Sequence, residues 1–513
     1  MVLPRQYNAV DDFVDRNVRE GNADRIAFAG SGQVMSYGDL QRATKRMANV
    51  LENLGIRRET RIAVLMFDTV DYPVVFWGAL RAGIVPVCLN TLLTSEQYHY
   101  MLADSRAQAL FVSEALLPVV APVLDRLDAL EHVVIVGENG GGRAVLADLL
   151  AGAKDEYETA PTCADETAFW LYSSGSTGDP KGVRHVHSSP IYVATHYGRG
   201  ILGIKQDDVC FSAAKLFFAY GLGAGMFIPM SVGASTVLLA ERPTPQSVLQ
   251  TMKAHNPTLF FGVPTLYAAM LADPACRPEN ASARLRLCVS AGEALPEEIG
   301  KSWKKRMGVD ILDGIGSTEM LHVFLSNRPG DIRYGTSGRE FDGYELRLVD
   351  EDGNEVGTDE IGELLVRGDS AADGYWNQRA KSRATFLGEW TRTGDKYTRD
   401  KDGYYHYCGR TDDMFKVGGR WLSPFEVEQA LVAHPAVLEA AVVAYEDEDE
   451  LIKPKAFVVL SASVEISEDE LFITLKEHVK AAIGPWKYPR LIEFVSELPK
   501  TATGKIQRYK LRQ

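Results

Sequence analysis

Short apolar runs rich in β-branched residues recur along the first four hundred residues of the chain, and stretches with the spacing of an amphipathic helix separate them. The clearest strands in this pattern are residues 61–66, 132–136 and 258–263. At residues 37–54 the apolar side chains approximate one face of a helix. This alternation of strand and helix predicts α/β layers whose strands run parallel.

Two later regions depart from the alternation. Residues 345–350 and 362–367 alternate apolar with polar side chains, with Asp352-Gly353 as a turn between them, which predicts a small antiparallel sheet or barrel. After Arg410 the pattern restarts with a helix at 423–433, strands at 438–445 and 454–460, and a helix at 468–483. Because this α+β unit is about a hundred residues long, it is large enough to be its own domain.

Length and composition agree with a globular protein of several packing units. The chain has 513 residues, of which 46% are apolar and 24% charged. We therefore predict an α/β fold. It comprises a large N-terminal domain of several subdomains, in which layered α/β sheets are joined by a small β-barrel-like part, and a small α+β C-terminal domain, which the family resemblance given below implies is mobile.

Charge and cysteine content exclude some functions. A net charge of −14 argues against nucleic acid as a partner, since phosphate backbones need a basic surface. The six cysteines include no Cys-x-x-Cys pair, so neither a zinc cage nor a disulfide framework is indicated, and a cytoplasmic location fits best. Residues 216–240 carry no charge, but four glycines and Pro229 interrupt them, so we expect no membrane span.

A loop of small residues around one lysine is typical of phosphate binding. It follows an apolar run at 167–171 that predicts a buried strand, and α/β sheets commonly bind ligands at strand ends. Glycines allow the backbone to approach a ligand closely, while hydroxyls and an ammonium can hold phosphate. Pro180 occupies a position where a Walker A loop requires glycine. The candidate phosphate-binding residues are Ser173, Ser174, Gly175, Ser176, Thr177, Gly178 and Lys181.

Four further motifs follow in a fixed order, at residues 315–319 (IGSTE), 390–395 (WTRTGD), 409–413 (GRTDD) and 499–505 (PKTATGK). Together with the lysine loop they match the order and approximate spacing of motifs in the adenylate-forming enzymes, so the chain resembles an acyl- or aryl-CoA ligase. The resemblance runs from about Asp12 to the last residues. Residues 215–223 and 313–324 are most similar to benzoate–CoA and hydroxybenzoate–CoA ligases.

The resemblance implies a two-step reaction that uses ATP, Mg²⁺ and coenzyme A. An aromatic carboxylate attacks the α-phosphate of ATP, and coenzyme A then takes the acyl group from the adenylate. By resemblance the lysine loop holds the β- and γ-phosphates, Thr318 contacts the α-phosphate and Glu319 helps to hold Mg²⁺. Lys505 would bring the carboxylate and the α-phosphate together, because in the family this lysine reaches between them.

The resemblance also implies which residues bind the nucleoside of ATP and coenzyme A. Asp395 and Arg410 would bind the ribose hydroxyls, and Asp412 would be the hinge between domains at 1–411 and 412–513. The adenine would lie between two short segments, Gly292, Glu293 and Ala294 on one side and Asp313, Gly314, Ile315 and Gly316 on the other. Many relatives have a tyrosine at the position of Ile315. Gly418 and Gly419 would line the pantetheine tunnel.

The acyl pocket is predicted by analogy with aryl-CoA ligases. Bulky rings there should leave a short flat slot for one aromatic ring. His322 either donates a hydrogen bond to a ring substituent or packs beside Tyr220, so benzoate and its hydroxy or amino derivatives are not separated. The residues of the predicted pocket are Phe218, Ala219, Tyr220, His322 and Val323.

Two other functions stay open at this point. One is a stand-alone adenylation enzyme that loads a carboxylic acid onto a carrier protein, and the other is a nucleotide-binding sensor without catalysis. Retention of Glu319, Asp395, Arg410 and Lys505 together argues against the sensor. A homodimer, and a lysine acetyltransferase acting on Lys505, are further partners that we carry forward as hypotheses.

Overall fold

The computed structural model describes residues 3–173, 179–417, 420–447, 451–461, 467–500 and 506–512, and all elements named below lie in these ranges. The strands, in chain order, are β1 (Ile26–Gly30), β2 (Gln33–Ser36), β3 (Arg61–Leu65), β4 (Val85–Cys88), β5 (Ala109–Ser113), β6 (His132–Val136), β7 (Ala144–Val145), β8 (Thr167–Ser173), β9 (Lys181–Val186), β10 (Val209–Ser212), β11 (Ser235–Val237), β12 (Leu259–Gly262), β13 (Leu287–Ser290), β14 (Ile311–Gly316), β15 (Val323–Ser326), β16 (Glu345–Val349), β17 (Gly362–Arg367), β18 (Gly374–Tyr375), β19 (Phe386–Leu387), β20 (Trp390–Arg399), β21 (Tyr405–Arg410), β22 (Phe415–Val417), β23 (Arg420–Leu422), β24 (Val437–Glu446), β25 (Ile452–Leu460) and β26 (Leu491–Phe494).

The α-helices are α1 (Arg16–Arg19), α2 (Tyr37–Asn53), α3 (Asp71–Arg81), α4 (Ser95–Ser105), α5 (Leu117–Leu124), α6 (Leu146–Ala151), α7 (Ser189–Val193), α8 (Ala219–Leu222), α9 (Ile228–Met230), α10 (Pro245–His255), α11 (Pro264–Ala272), α12 (Glu297–Met307), α13 (Arg379–Thr385), α14 (Pro424–Val432) and α15 (Glu468–Ile483). Short π-helical segments lie at Asp11–Asp15, Ala194–Arg199 and Gly223–Phe227, and 3-10 turns at Glu114–Leu116, Pro278–Asn280 and Arg508–Lys510.

Two sheets, each with eight strands in the described residues, form most of the N-terminal part. One has the order β15-β14-β13-β12-β10-β11-β1-β2 and the other β18-β9-β8-β4-β3-β5-β6-β7. Their central strands are parallel, while antiparallel pairs occur at the edges, such as β14 with β15 and β8 with β9. The predicted α/β layers are therefore confirmed, and antiparallel edge strands are the one departure from an all-parallel sheet.

An aromatic cluster joins the two large sheets. The ring of Phe169 on β8 lies 5.4 Å from that of Phe76 on α3 and 5.8 Å from that of Phe227 in the π-helical segment. Phe13 stacks on Trp77 at 5.2 Å between ring centroids, and both rings are fully buried. Rings of this size bury large apolar areas, so the cluster fixes how one sheet lies against the other.

The smaller sheet is antiparallel, as predicted. Its order is β16-β17-β20-β19, and β21 pairs with β20. The turn at Asp352-Gly353 does not join β16 directly to β17, however. Val349 bridges Glu355, so this turn closes a small loop of its own before the chain reaches β17. Gly353 has φ 86°, which a side chain would disfavour.

The C-terminal domain packs two helices against its own sheet. The strands have the order β24-β25-β26, and Leu431, Val442, Val458 and Leu475 lie in a separate apolar core with α14 and α15. The predicted helices and strands of this domain agree with the observed ones to within two residues. Its first helix contacts the preceding sheet through the rings of Tyr407 and Phe425, whose centroids are 5.1 Å apart.

None of the helices in the described ranges is long and apolar enough to cross a membrane. The uncharged segment 216–240 is divided among α8, a π-helical segment, α9 and β11. All six cysteines lie in the described ranges and are unpaired, and every one except Cys163 is buried.

Candidate active site

The predicted phosphate-binding loop lies between two antiparallel strands in the sequence. Ser173 ends β8 and Lys181 begins β9, and the two residues are partners across the ladder. The Ser173 hydroxyl is buried and has no hydrogen-bond partner in the described part of the chain. Burial lowers the pKa of Lys181, with Glu319 acting in the opposite direction. The predicted loop residues Ser174, Gly175, Ser176, Thr177 and Gly178 lie outside the described residues.

A turn after β14 carries Thr318 and Glu319 across to the other large sheet. The carbonyl oxygen of Thr318 accepts a hydrogen bond from His185 Nε2 at 2.8 Å, and the carbonyl oxygen of Glu319 accepts one from the Ala372 backbone at 2.8 Å. Burial lowers the pKa of His185 to about 4, so the neutral imidazole is the donor. Leu321 follows with φ 67° and is fully buried. A bulky residue in the left-handed region indicates that surrounding contacts enforce the turn.

The Glu319 side chain contacts a tyrosine from β18. The Tyr375 hydroxyl donates to Glu319 Oε1 at 2.8 Å, and Lys181 Nζ lies 4.5 Å from the centroid of the Tyr375 ring. The motifs pointed to neither Tyr375 nor His185. Their roles depend on strand pairing between distant parts of the chain, and a single sequence carries no pattern that would have identified them.

The two predicted ribose-binding residues are directly paired. Asp395 on β20 faces Arg410 on β21, and Arg410 Nη1 lies 3.1 Å from Asp395 Oδ1. The same nitrogen donates to the carbonyl oxygen of Thr393 at 2.9 Å. The charge of Asp395 raises the pKa of Arg410, which keeps the guanidinium charged. Gly394 has φ 73°, and a Cβ there would lie 2.7 Å from Arg410 Nη2. A side chain at this position would therefore displace the guanidinium of Arg410.

The two segments predicted to bracket adenine lie side by side. Gly292, Glu293 and Ala294 follow β13, and the next residue, Leu295, donates its backbone N–H to Asp313 Oδ2 at 3.3 Å. Burial raises the pKa of Asp313 well above its usual range. Gly314, Ile315 and Gly316 continue β14 to the turn. Ile315 is partly buried and packs against the neighbouring apolar core.

The predicted acyl pocket is arranged around His322. Its ring centroid lies 5.6 Å from that of Tyr220 and 5.3 Å from that of Tyr197. His322 Nε2 is 3.2 Å from the Tyr220 carbonyl oxygen, and burial lowers the pKa of His322 to about 4. The neutral imidazole therefore donates from Nε2. Its other nitrogen, Nδ1, is a buried acceptor without a partner in the described residues.

The other predicted pocket residues lie beside this pair. Ala219 and Tyr220 belong to α8, and the Tyr220 hydroxyl donates to the carbonyl oxygens of Gly262 and Val289 at 3.2 and 3.1 Å. Phe218 caps α8, and its ring centroid is 4.3 Å from that of Phe217. Val323 begins β15, directly after His322, and is buried.

The predicted hinge contacts the end of the chain. Arg512 donates to the carbonyl oxygen of Asp412 at 3.1 Å and to the Asp413 carboxylate. Arg508 lies 3.6 Å from the same carboxylate and pairs with Glu428 at 2.7 Å. The predicted residues Gly418, Gly419 and Lys505 are outside the described residues.

The carboxylates of the described residues fit a magnesium ion that arrives with ATP. No group of three or more histidine, cysteine, aspartate or glutamate side chains that could hold a metal occurs in the described ranges. Mg²⁺ usually keeps several waters and binds one or two carboxylates together with substrate phosphates. Glu319 alone, which shares Tyr375 as a neighbour with Lys181, would be sufficient for that mode.

Sequence comparisons identify the family of the chain. Residues 14–376 match the family model described as AMP-binding enzyme, and residues 426–505 match the AMP-binding enzyme C-terminal domain. The 4-hydroxybenzoate–CoA/benzoate–CoA ligase of Rhodopseudomonas palustris is 58% identical over 99% of this chain and 94% of its own. The benzoate–CoA ligase of Thauera aromatica is 54% identical over 99% of this chain and 96% of its own.

Solved structures are similar over nearly the whole chain. A benzoate CoA ligase from Burkholderia xenovorans is 48% identical with a TM-score of 0.93, covering 99% of this chain and 100% of that one. An anthranilate CoA ligase in complex with anthranoyl-AMP is 43% identical with a TM-score of 0.95, covering 99% of this chain and 97% of that one. The chain therefore belongs to the family of AMP-binding, adenylate-forming enzymes, and within it to the aryl-CoA ligases.

Proposed function

We propose that this protein is an ATP-dependent aryl-CoA ligase that converts benzoate or a hydroxybenzoate, with coenzyme A, to the aryl-CoA thioester, AMP and pyrophosphate. The observation that carries the proposal is the turn after β14. Thr318 and Glu319 stand at its start, where Glu319 and Lys181 both contact Tyr375, while at its end the ring of His322 lies 5.6 Å from that of Tyr220 and Val323 follows directly. One short turn thus joins the groups that we assign to phosphate chemistry to the groups that we assign to the aromatic acid.

The first step forms the acyl-adenylate. A carboxylate oxygen of the acid bonds to the α-phosphorus of ATP as the bond from that phosphorus to the β-phosphate oxygen breaks, and pyrophosphate leaves. Negative charge accumulates around phosphorus, so cations and hydrogen-bond donors placed beforehand stabilise the transition state. Lys181 supplies one cation, and we assign the second to Lys505. A magnesium ion held by Glu319 neutralises phosphate charge when it is bound.

The second step forms the thioester. The sulfur of coenzyme A bonds to the acyl carbon, the acyl–oxygen bond to AMP breaks so that AMP leaves, and the thiol proton is released to solvent. We assign Asp412 as the hinge about which the C-terminal domain, from 412 onward, rotates between the steps, and Gly418 and Gly419 as part of the pantetheine path. The pairing of Asp395 with Arg410 supports a ribose site, since a carboxylate accepts from both hydroxyls while a guanidinium donates.

The Nδ1 atom of His322, unpartnered in the described residues, influences which aromatic acids the pocket accepts. Because Nε2 is engaged by the Tyr220 carbonyl, Nδ1 is left to accept a hydrogen bond from a substituent on the aromatic ring. This supports acceptance of a hydroxybenzoate in addition to benzoate. A buried polar group that awaits a hydroxyl can discriminate strongly, whereas a purely apolar wall does so weakly.

The direct test is acid-dependent AMP formation with ATP, Mg²⁺ and coenzyme A. The acids are benzoate, its 2-, 3- and 4-hydroxy and amino derivatives, cinnamate, acetate and octanoate. We expect a preference for benzoate-type acids. Activity on octanoate or acetate alone would refute the aryl assignment. Activity with a carrier protein in place of coenzyme A would support the carrier-loading alternative.

Three finer assignments belong with this proposal. A homodimer is testable by light scattering during size-exclusion chromatography. Acetylation of Lys505 should abolish adenylation while a supplied acyl-adenylate is still converted to thioester, because only the first step uses that charge. The cytoplasmic location rests on the absence of disulfides among the six cysteines.

A further inference from the structure

Two oppositely charged site residues come from different sheets and share one neighbour. Lys181 begins β9 of one large sheet, and Glu319 follows β14 of the other. The charge of Glu319 acts on the lysine, although no salt bridge joins the two in the described part of the chain. The neighbour is Tyr375, whose hydroxyl donates to Glu319 Oε1 at 2.8 Å while its ring centroid lies 4.5 Å from Lys181 Nζ.

Tyr375 is itself held firmly. It is 4% exposed, and its strand β18 pairs with β9, where Tyr375 is the partner of Val183. Its backbone N–H donates to Ser382 Oγ at 3.0 Å, and the Phe386 ring packs at 5.4 Å between centroids. The Thr385 hydroxyl lies 3.4 Å from the tyrosine oxygen. Strand pairing and Ser382 hold the backbone of Tyr375, and Phe386 and Thr385 contact its side chain. The tyrosine can therefore impose its position on the two charged groups that it touches.

We propose that Tyr375 is a positioning residue that holds the Glu319 carboxylate and the Lys181 ammonium apart and in fixed directions, and so sets the affinity for the magnesium ion that accompanies ATP. The inference rests on the proposed function. The hydroxyl occupies Oε1 and fixes the direction of the other carboxylate oxygen. The ring face attracts the ammonium through its negative charge density.

The physical consequence is that both charges stay available for the substrate. If Lys181 and Glu319 paired directly, each would neutralise the other, and ATP with its metal would have to break that pair. Partners that orient a metal-binding carboxylate typically change metal affinity 10- to 100-fold when removed. Loss of the hydroxyl alone and loss of the whole ring should therefore have different effects.

Binding of the non-hydrolysable analogue adenosine 5′-(β,γ-imido)triphosphate, measured by calorimetry with Mg²⁺ or with EDTA, separates these effects. For Tyr375→Phe, which keeps the ring beside Lys181, we expect binding in EDTA to stay within about twofold of wild type. The Mg²⁺ concentration for half-maximal binding should rise about tenfold or more. For Tyr375→Leu, binding in EDTA should also weaken, by about two- to fivefold, because the cation–ring contact is lost.

A double variant tests whether the tyrosine acts through the carboxylate. In a Glu319→Gln background, Tyr375→Phe should cause no further change in Mg²⁺ dependence, since coupled residues are not additive. The matched control is Tyr7→Phe, which removes a hydroxyl that donates to Asp12 at 2.7 Å. Asp12 belongs to no predicted site, so this variant should bind as wild type does.

The outcomes decide between the alternatives. If Tyr375→Phe folds and its Mg²⁺ dependence equals that of wild type, or if its effect is unchanged in the Glu319→Gln background, the inference is wrong. Tyr375→Phe could lose its cooperative unfolding transition, and Ser382→Ala, which removes only the hydrogen bond to the Tyr375 backbone, is then the test. The inference fails if Ser382→Ala does not shift the Mg²⁺ dependence in the same direction. A protein that showed the expected metal pattern but ligated no aromatic acid would refute the proposed function and leave this inference standing.

Discussion

Gly223→Ala should displace His322 and impair use of aromatic acids. A Cβ at position 223 would lie 2.2 Å from His322 Cδ2 and 2.8 Å from Nε2, whereas ordinary contact begins near 3.4 Å. The imidazole must move by about 1.2 Å, the difference between the first and last of these distances. Such a shift breaks the 3.2 Å contact of Nε2 with the Tyr220 carbonyl oxygen.

The size of the effect follows from overpacking. Forcing an extra methyl group into a filled core costs about 1–3 kcal/mol. If this free-energy cost applies to the state that binds the acid, kcat/KM for benzoate drops roughly 5- to 150-fold, since about 1.4 kcal/mol corresponds to a factor of ten. The KM for ATP should change little, because Asp395 and Arg410, which we assign to the ribose, are on other strands.

The assay is AMP formation at varied benzoate and at varied ATP, with the thermal unfolding midpoint measured in parallel. Gly152→Ala is the matched control, because a Cβ at that helix terminus would lie 3.7 Å from its nearest neighbour and fit without movement. A folded Gly223→Ala enzyme with wild-type kcat/KM for benzoate would refute the assignment of His322 to the acyl pocket.

Three more predictions follow from other contacts. Asp395→Asn removes the charge that faces Arg410, so we expect the KM for ATP to rise about tenfold or more while the KM for benzoate stays similar, as measured by AMP formation. Arg508→Leu leaves the buried Glu428 without its cation and should destabilise the C-terminal domain by about 3 kcal/mol in urea unfolding. Burial lowers the pKa of His187 to about 4, against about 6.5 when unfolded, so its stabilising contribution is complete above pH 6.5 and is lost as the pH falls towards 4. His187→Asn cannot titrate and should lose about 2 kcal/mol less stability than wild type between pH 7 and 5.

Each of these has a result that would contradict it. An unchanged KM for ATP in Asp395→Asn would argue against the ribose assignment. An Arg508→Leu protein as stable as wild type would mean that Glu428 finds enough support in the 2.8 Å bond from the Val442 backbone. Parallel losses of stability with falling pH in wild type and His187→Asn would show that other groups dominate the acid range.

Much of the fold was predictable because local patterns determine it. Helix α2 begins where Ser36 and Asp39 form a capping box, and the helix at Glu468–Ile483 was predicted to the residue. The connection from β16 to β17 was less predictable. An Asp-Gly pair predicts a turn, but nothing local indicates that Val349 bridges Glu355.

The candidate site was also predictable only in part. The sequence motifs predicted Asp395 and Arg410, and the structure brings them to 3.1 Å. The contacts of Tyr375 and His185 were not predicted, because they depend on β18 and β9 meeting the turn after β14. Such pairing joins residues more than fifty positions apart, and hydrophobic periodicity carries no information about it.

The unpaired cysteines make this protein convenient to label and to assay. Burial raises the pKa of Cys88 and of Cys288 to about 12, so neither presents a thiolate at neutral pH. Cys163 alone among the six is partly exposed. A thiol-reactive dye should therefore attach at one position in the N-terminal part, and reagents that quantify free coenzyme A should meet background from Cys163 alone in the native protein.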